Sequence, residues 1–171
     1  GKETAFAFAE RGAKIVAVAR SKELLEDLVK TLPGKGHLYY VADVGERDSV
    51  KKAISQIISD YGHVDILVNN AGIASYGDFV ERPLEELEAQ IKTNFFGAIY
   101  FTKELLPHMI SRKSGSIVNV ISWAAFIPTP KMSVYSATKA ALASFTNSLW
   151  IELKDKGIKV SGIYPGPIIG T

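Results

Sequence analysis

The chain has 171 residues, of which 47% are hydrophobic and 22% charged, and its net charge is +2. This is the composition of one globular domain with a real core. The near balance of acidic and basic residues predicts no nucleic-acid or membrane-surface partner. Cysteine is absent, and the histidines (His37, His63 and His108) lack ligand spacing, so no metal site is expected. No apolar run has the length of a membrane span.

Helix and strand patterns alternate along the chain. The first is a helix whose apolar face, residues 5–9, ends at Gly12, and the next is a β-branched strand at 13–19. Further helices are predicted at 22–32 with Ser21 as cap, at 46–61, at 83–111 with a bend near Asn94, and at 133–156. Further strands are predicted at 37–44, 64–70, 115–122 and 158–165. Leu24, Leu25, Leu28 and Leu32 are predicted to face inward from the second helix. The residues predicted to face inward from the helix at 46–61 are Val50, Ala53, Ile54, Ile57 and Ile58.

This alternation predicts right-handed βαβ crossovers in one domain, residues 1–171. The expected fold is α/β, a Rossmann-like doubly wound parallel sheet in a three-layer α/β/α arrangement. Ligands of such sheets bind beyond the carboxyl ends of the strands. Polar or glycine residues follow all five predicted strands: Arg20-Ser21-Lys22, Asp43, Asn69-Asn70-Ala71-Gly72, Ser122 and Pro165-Gly166-Pro167. One such junction would reflect turn chemistry alone, but five predict an extended cleft for a long polar ligand.

Tyr135 and Lys139 lie four residues apart, on one face of the helix predicted at 133–156. A free tyrosine has a pKa near 10 and is a poor base at neutral pH. A cation about 4 Å away, at an effective dielectric constant of about 20, favours a phenolate by roughly 4 kcal/mol. The pair is therefore interpreted as an acid–base group, with a solvated pair at a helix start as the alternative.

The ordered set of Asn-Asn-Ala-Gly, Ser122, Tyr135-x-x-x-Lys139 and a closing Pro-Gly resembles the classical branch of the short-chain dehydrogenase/reductase family. Ser122 lies thirteen residues before Tyr135, and Asn94 lies where the family has its fourth catalytic residue. The resemblance covers essentially the whole chain. It implies an NAD(P)-dependent oxidoreductase that acts on a carbonyl or secondary alcohol. The alternative is a non-catalytic nucleotide-binding or interaction protein that kept the fold.

The resemblance implies a role for each catalytic residue. Tyr135 would exchange a proton with the substrate oxygen, while Lys139 would favour the phenolate and hold the nicotinamide ribose. Ser122 would bind the substrate oxygen, and Asn94 would hold a water of a proton relay. The cofactor would carry the hydride. Ser122 as a plain turn residue, Asn94 as a poor helix former at a bend and Asp43 as a helix cap are the structural alternatives.

The resemblance also implies cofactor contacts, which are Gly1, Arg20, Ser21, Lys22, Asp43, Val44, Asn70, Ala71, Gly72, Tyr135, Lys139, Pro165, Gly166 and Ile168. Gly72 would let a ligand approach the backbone closely. The strand at 13–19 lacks the terminal acid that an NAD site uses, and Arg20 and Lys22 follow it instead. Because arginine suits a 2′-phosphate, NADP(H) is predicted over NAD(H). The alternative is that both are surface charges, although cations are unfavourable at a helix start.

The family opens with a strand and a Gly-rich turn, of which Gly1 matches only the last glycine. We therefore expect a chain truncated at both ends, with a gap in the sheet between the strands at 13–19 and 64–70. Alone, the 171-residue chain is expected to be marginally stable and inactive. Thr171 lies one position beyond the commonest spacing for the family's threonine.

Further expectations concern the substrate and partners. Trp123, Phe126, Ile127 and Pro128 indicate an apolar substrate pocket. The helices at 83–111 and 133–156 resemble the family's oligomer-forming helices, so a homo-oligomer is expected. No secretory signal opens the chain, and a cytoplasmic location is expected.

Overall fold

The computed structural model describes residues 1–127 and 129–166, in which helices alternate with parallel strands. The first half comprises α1 (Lys2–Ala9), β1 (Val16–Ala19), α2 (Lys22–Thr31), β2 (Leu38–Val41), α3 (Arg47–Tyr61) and β3 (Ile66–Asn69). The second half comprises a 3-10 turn (Phe79–Glu81), α4 (Leu84–Ile91), a π-helical turn (Lys92–Phe96), α5 (Gly97–Arg112), β4 (Gly115–Val120), a second 3-10 turn (Trp123–Ala125), α6 (Ser133–Leu153) and β5 (Ile158–Ile163). The predicted α/β class is confirmed. No helix in the described ranges is both long and apolar enough to cross a membrane.

The sheet consists of two separate parallel pieces. In one, β1 pairs with β2, and Val16 lies opposite Leu38. In the other, β4 lies between β3 and β5, with Ser116 opposite both Ile66 and Lys159. Within the described residues no ladder joins β1 to β3, so the gap predicted from the sequence is present.

The main core lies where α3, α5 and the end of α6 pack on the three-stranded piece. Its most buried side chains are Val50, Met109, Ile117, Leu105 and Leu153. The predicted inward face of α3 is confirmed, because Val50, Ala53, Ile54 and Ile57 are buried and Ile58 packs against them. Continuous burial of this kind supplies most of the free energy that stabilises a helix in a protein.

The inward face of α2 is narrower than predicted. Leu25 and Leu32 are buried, but Leu24 is 71% exposed, so the prediction for Leu24 was wrong. Adjacent helical residues point about 100° apart, so one side of a helix cannot bury both Leu24 and Leu25 against a narrow surface. Since α2 packs on the two-stranded piece, it has only such a surface.

The long helix predicted at 83–111 is interrupted by the π-helical turn at Lys92–Phe96, close to the expected bend. A π turn adds one residue to the helix and marks functional sites in many proteins. α5 begins directly after it at Gly97, where an added Cβ would lie 3.1 Å from the carbonyl oxygen of Val44. Glycine thus lets α5 contact the segment that follows β2.

A buried polar chain crosses the three-stranded piece. Asn119, next to the carboxyl end of β4, is fully buried, and its Oδ1 accepts a hydrogen bond from Asn69 Nδ2 at 2.8 Å. Its Nδ2 donates to Thr146 Oγ1 on α6 at 2.8 Å, while Asn69 Nδ2 also lies 3.3 Å from Thr102 Oγ1 on α5. Buried amides of this kind fix one register, because a shift would leave them unpaired. These hydrogen bonds therefore fix the position of α6 against β4, the two elements from which the candidate site extends.

Candidate active site

Lys139 is a buried cation at the end of β4. Its side chain is on α6 and the residue is only 3% exposed. The Nζ donates to the carbonyl oxygen of Val120 at 2.9 Å and lies 5.7 Å from the centroid of the Tyr135 ring. Residues four apart share a helix face, so Tyr135 and Lys139 project together from the start of α6. The predicted pairing of tyrosine and lysine is therefore present in space.

Burial sets the charge state of this lysine. Loss of hydration lowers the pKa of Lys139 from 10.5 to about 8. At pH 7 the amine still carries its proton, and a charge in such a poorly hydrated place acts on its neighbours more strongly than it would in water. The structure thus holds a positive charge beside a half-buried phenol.

Asn94 connects the segment after β3 to α6. The residue lies in the π-helical turn and is 1% exposed. Its Oδ1 accepts from Ile73 N at 2.7 Å, and its Nδ2 donates to Ile73 O at 2.8 Å and to Thr138 Oγ1 at 3.2 Å. Thr138 in turn donates to the carbonyl oxygen of Tyr135 at 2.7 Å. Both ends of the amide are therefore bound to protein groups, which gives Asn94 a role beyond that of a poor helix former.

Ser122 follows β4 and is 7% exposed. Its Oγ accepts from Ala124 N at 3.2 Å and so caps the short turn at Trp123–Ala125. The turn role considered as an alternative is thus real, but it uses an acceptor lone pair and leaves the hydroxyl proton available for another hydrogen bond. Trp123 N also donates to Pro165 O at 3.1 Å, which ties this turn to the segment after β5.

The predicted cofactor residues around β3 lie together on an open edge. Asn70, Ala71 and Gly72 are exposed, and a Cβ added at Gly1 would lie 3.0 Å from Asn70 Nδ2. A Cβ added at Gly72 would lie 3.5 Å from both Asn94 Oδ1 and Lys139 Nζ, so this backbone borders two of the predicted catalytic residues.

In the segment after β5, an added Cβ at Gly166 would meet no atom of the described residues within 4 Å. Pro128, Pro167, Ile168 and Thr171 lie outside the described residues.

Arg20 and Asp43 meet at the ends of β1 and β2. Arg20 Nη1 lies 3.9 Å from Asp43 Oδ2, and both side chains are largely exposed, so this pair contributes little stability. Asp43 Oδ1 accepts from Gly45 N at 2.9 Å and stabilises a turn. The alternative of Asp43 as a helix cap was wrong, because α3 has Glu46 at its N-cap position.

Ser21 and Lys22 contact acidic residues of α2. Ser21 occupies the N-cap position, but its side chain makes no cap hydrogen bond, so the predicted side-chain cap was wrong. Its Oγ donates to Glu23 Oε2 at 3.4 Å. Lys22 Nζ lies 3.7 Å from Glu26 Oε1, one turn along the helix. Both side chains remain accessible at the edge of the candidate cleft.

Three groups of residues near this site were not predicted from the sequence: the Asn69–Asn119–Thr146 chain, the Gln90–Ser75 hydrogen bond and the Gly77–Lys131 hydrogen bond. Asn119 had a signal, since a single amide inside an apolar strand requires a buried partner. The other two join residues far apart in the chain and leave no local pattern. Among residues 1–127 and 129–166, no cluster of His, Cys, Asp or Glu could hold a metal ion.

The lowered pKa of Lys139 predicts a rise in stability with pH. Between about pH 8 and about pH 9.5, the unfolded chain keeps this proton while the folded protein releases it. The free energy of unfolding should therefore rise, with Lys139 contributing about 1.5 kcal/mol across that window. Urea unfolding of the wild type and of Lys139→Met isolates this contribution, and Lys154→Met, at an exposed position after α6, is the control. Equal pH slopes for the wild type and Lys139→Met would contradict the prediction.

Comparisons with known proteins agree with this arrangement. The family model described as short chain dehydrogenase matches residues 1–171. The chain is 38% identical over 169 residues to the 3-oxoacyl-[acyl-carrier-protein] reductase FabG of Thermotoga maritima, covering 97% of this chain and 68% of that protein. Across that reductase and two further curated relatives, the chain spans 54% to 68% of their length.

Solved structures show the same likeness. A metagenomic short-chain oxidoreductase in complex with NADP matches with a TM-score of 0.92 at 27% identity, covering 98% of this chain and 77% of that one. An NAD+-bound xylitol dehydrogenase matches with a TM-score of 0.89 at 28% identity, covering 97% and 65%. The fold is therefore Rossmann-like, and with the family match over the full sequence, the chain belongs to the short-chain dehydrogenase/reductase family.

Proposed function

We propose that the protein is an NADP(H)-dependent oxidoreductase that interconverts a carbonyl and a secondary alcohol, with Tyr135 as general acid and base. The observation that carries the proposal is the buried, charged Lys139 amine beside the Tyr135 ring. A lysine with a purely structural role, as in a salt bridge, would not need to be buried at this position. Acid–base chemistry at a phenol does need a buried positive charge beside the ring.

The cofactor fits the open edge formed by the strand ends. The exposed residues Asn70 to Gly72 and the exposed Gly166 provide a backbone wall, and Arg20 lies at the end suited to a phosphate. When bound, the nicotinamide supplies or accepts the hydride. The chain's own residues bind, orient and exchange the proton.

Each catalytic side chain then has one task. The Ser122 hydroxyl donates a hydrogen bond to the substrate oxygen and orients it toward Tyr135. Tyr135 gives that oxygen a proton during reduction and removes one during oxidation. The positive charge of Lys139 favours the phenolate, and its bond to Val120 holds the amine in place. Asn94 fixes the Ile73 backbone against α6. The water of the proposed proton relay would have to share the Asn94 side-chain amide, whose oxygen and nitrogen already bond to Ile73.

Two groups of apolar side chains support the proposed preferences: one group supports an apolar substrate and the other supports a homo-oligomer. Trp123, Phe126 and Ile127 are 38%, 67% and 52% exposed next to Ser122, which suits an apolar substrate. Elsewhere Phe96 stacks on Tyr100 with ring centroids 5.9 Å apart, while Trp150 is 55% exposed.

Exposed aromatic residues such as Phe96 in the π-helical turn and Trp150 on α6 are typical of protein interfaces. Light scattering is expected to give at least a dimer, and a strictly monomeric protein would contradict this.

Replacing Tyr135 by phenylalanine removes only the exchangeable proton. We expect Tyr135→Phe, in the protein as its gene encodes it, to lower kcat for reduction of an apolar ketone by about 10²- to 10⁴-fold. Cofactor affinity should change little, because the ring remains. Tyr100→Phe, on α5 away from the site, is the matched control. An activity of Tyr135→Phe within threefold of wild type, by direct assay, would refute the assigned role.

The cofactor preference depends on Arg20. We expect NADPH to bind more tightly than NADH, and Arg20→Ala to weaken NADPH by about tenfold while leaving NADH nearly unchanged. Fluorescence titration with both cofactors measures this, with Lys14→Ala on the segment before β1 as control. Equal weakening of both cofactors would exclude a specific phosphate contact. If neither cofactor binds the wild type, the non-catalytic interaction function becomes the better proposal.

A further inference from the structure

The segment that follows the cofactor wall, residues 73–78, is held at every second residue. Ile73 bonds through its N and O to the Asn94 side chain at 2.7 and 2.8 Å. Ser75 Oγ accepts from Gln90 Nε2 at 2.8 Å. Gly77 N donates to the carbonyl oxygen of Lys131 at 3.0 Å. Three regular anchors on a segment without secondary structure indicate that its placement matters.

The first two anchors match in spacing. Gln90 and Asn94 lie four residues apart where α4 continues into the π-helical turn. Four helical residues rise about 6 Å, and two residues of extended chain span about 6.6 Å. Because the two spacings match, the side-chain amides of Gln90 and Asn94 bind Ser75 and Ile73, respectively, side by side. Asn94 is one of the four predicted catalytic residues. Gln90 binds the same segment that Asn94 binds, two residues further along it.

The third anchor reaches the turn that leads into α6. Lys131 has a φ of 64°, an unfavourable backbone conformation for a residue with a side chain. Besides the bond from Gly77, its Nζ lies 3.6 Å from Asp78 Oδ2 and 5.9 Å from the centroid of the Tyr76 ring. Tyr76, Gly77 and Asp78 thus all contact Lys131, which lies four residues before Tyr135.

Gln90 has a second polar atom to satisfy. The residue is 2% exposed, and among the described residues its Oε1 and the buried Arg82 Nε have no hydrogen-bond partner. Both residues line one small cavity together with Ser75, Met132 and Tyr135. The cavity offers about 10 Å³ to the centre of a water-sized sphere, enough for one water. Such a water would accept from Arg82 and donate to Gln90, which removes the cost of two unpaired buried groups.

We propose that Gln90 is a positioning residue for the reaction at Tyr135. Its amide holds Ser75 directly and Arg82 through one bound water, and so fixes the 73–78 segment against the turn at 129–132. The role of Gln90 in the reaction at Tyr135 rests on the proposed function, whereas its anchoring of the 73–78 segment does not.

Gln90→Met keeps the shape of the side chain and removes both polar contacts. We expect backbone amides of 73–78 to exchange hydrogen about fivefold faster, since one lost hydrogen bond is worth about 1 kcal/mol. In the gene-encoded protein, kcat should fall at least fivefold, and the KM for the cofactor should stay within twofold. Gln56→Met, at an exposed position on α3, is the matched control for both measurements.

Ser75→Ala tests the direct contact and also serves if Gln90→Met does not fold. Because Gln90 acts through Ser75, the exchange effect of Ser75→Ala should be at least threefold smaller in the Gln90→Met background. Unchanged exchange in 73–78, or a change equal to that of Gln56→Met, would overturn the proposal. Faster exchange with unchanged kcat would overturn the positioning role. An inactive wild type would refute the proposed function alone, and the exchange measurements would still decide the anchoring.

Discussion

The hydrogen bond from Lys139 to the Val120 carbonyl oxygen is the contact on which the rest of the site depends. It can form only if α6 packs against the end of β4, and that packing brings Tyr135 toward Ser122. Burial of an ammonium group costs free energy, which is expressed here as a pKa lowered to about 8. The surrounding contacts therefore have to hold a group that would be more stable in water.

Those contacts are mostly polar and buried, and they come from several elements. Asn94 binds Thr138, the neighbour of Lys139, and Asn119 binds Thr146 further along α6. A chain of this kind stabilises one register of α6 only while every member is paired. The left-handed backbone of Lys131 and the π-helical turn are further local costs near the same helix. A domain built for stability alone would replace most of these groups with apolar ones.

The fold was predictable because it depends on periodic signals. The apolar spacing on α3 indicated the inward face at Val50, Ile54 and Ile57, and short apolar runs indicated all five strands. The pairing of Tyr135 with Lys139 was also predictable, since the two residues share one helix turn. Leu24 was not, because the width of the surface beneath α2 depends on which strands are paired. Gln90 and Lys131 were not, because their partners are distant in sequence and their spacing matches only in three dimensions.

The most direct measurement is the titration of the Lys139 amine itself, followed by NMR on protein labelled in lysine side chains and assigned with Lys139→Met. A buried amine held beside Tyr135 predicts a pKa of about 8, well below the ordinary lysine value of 10.5. A value near 10.5 would mean that the amine is hydrated, and the buried cation that supports the proposed chemistry would not exist.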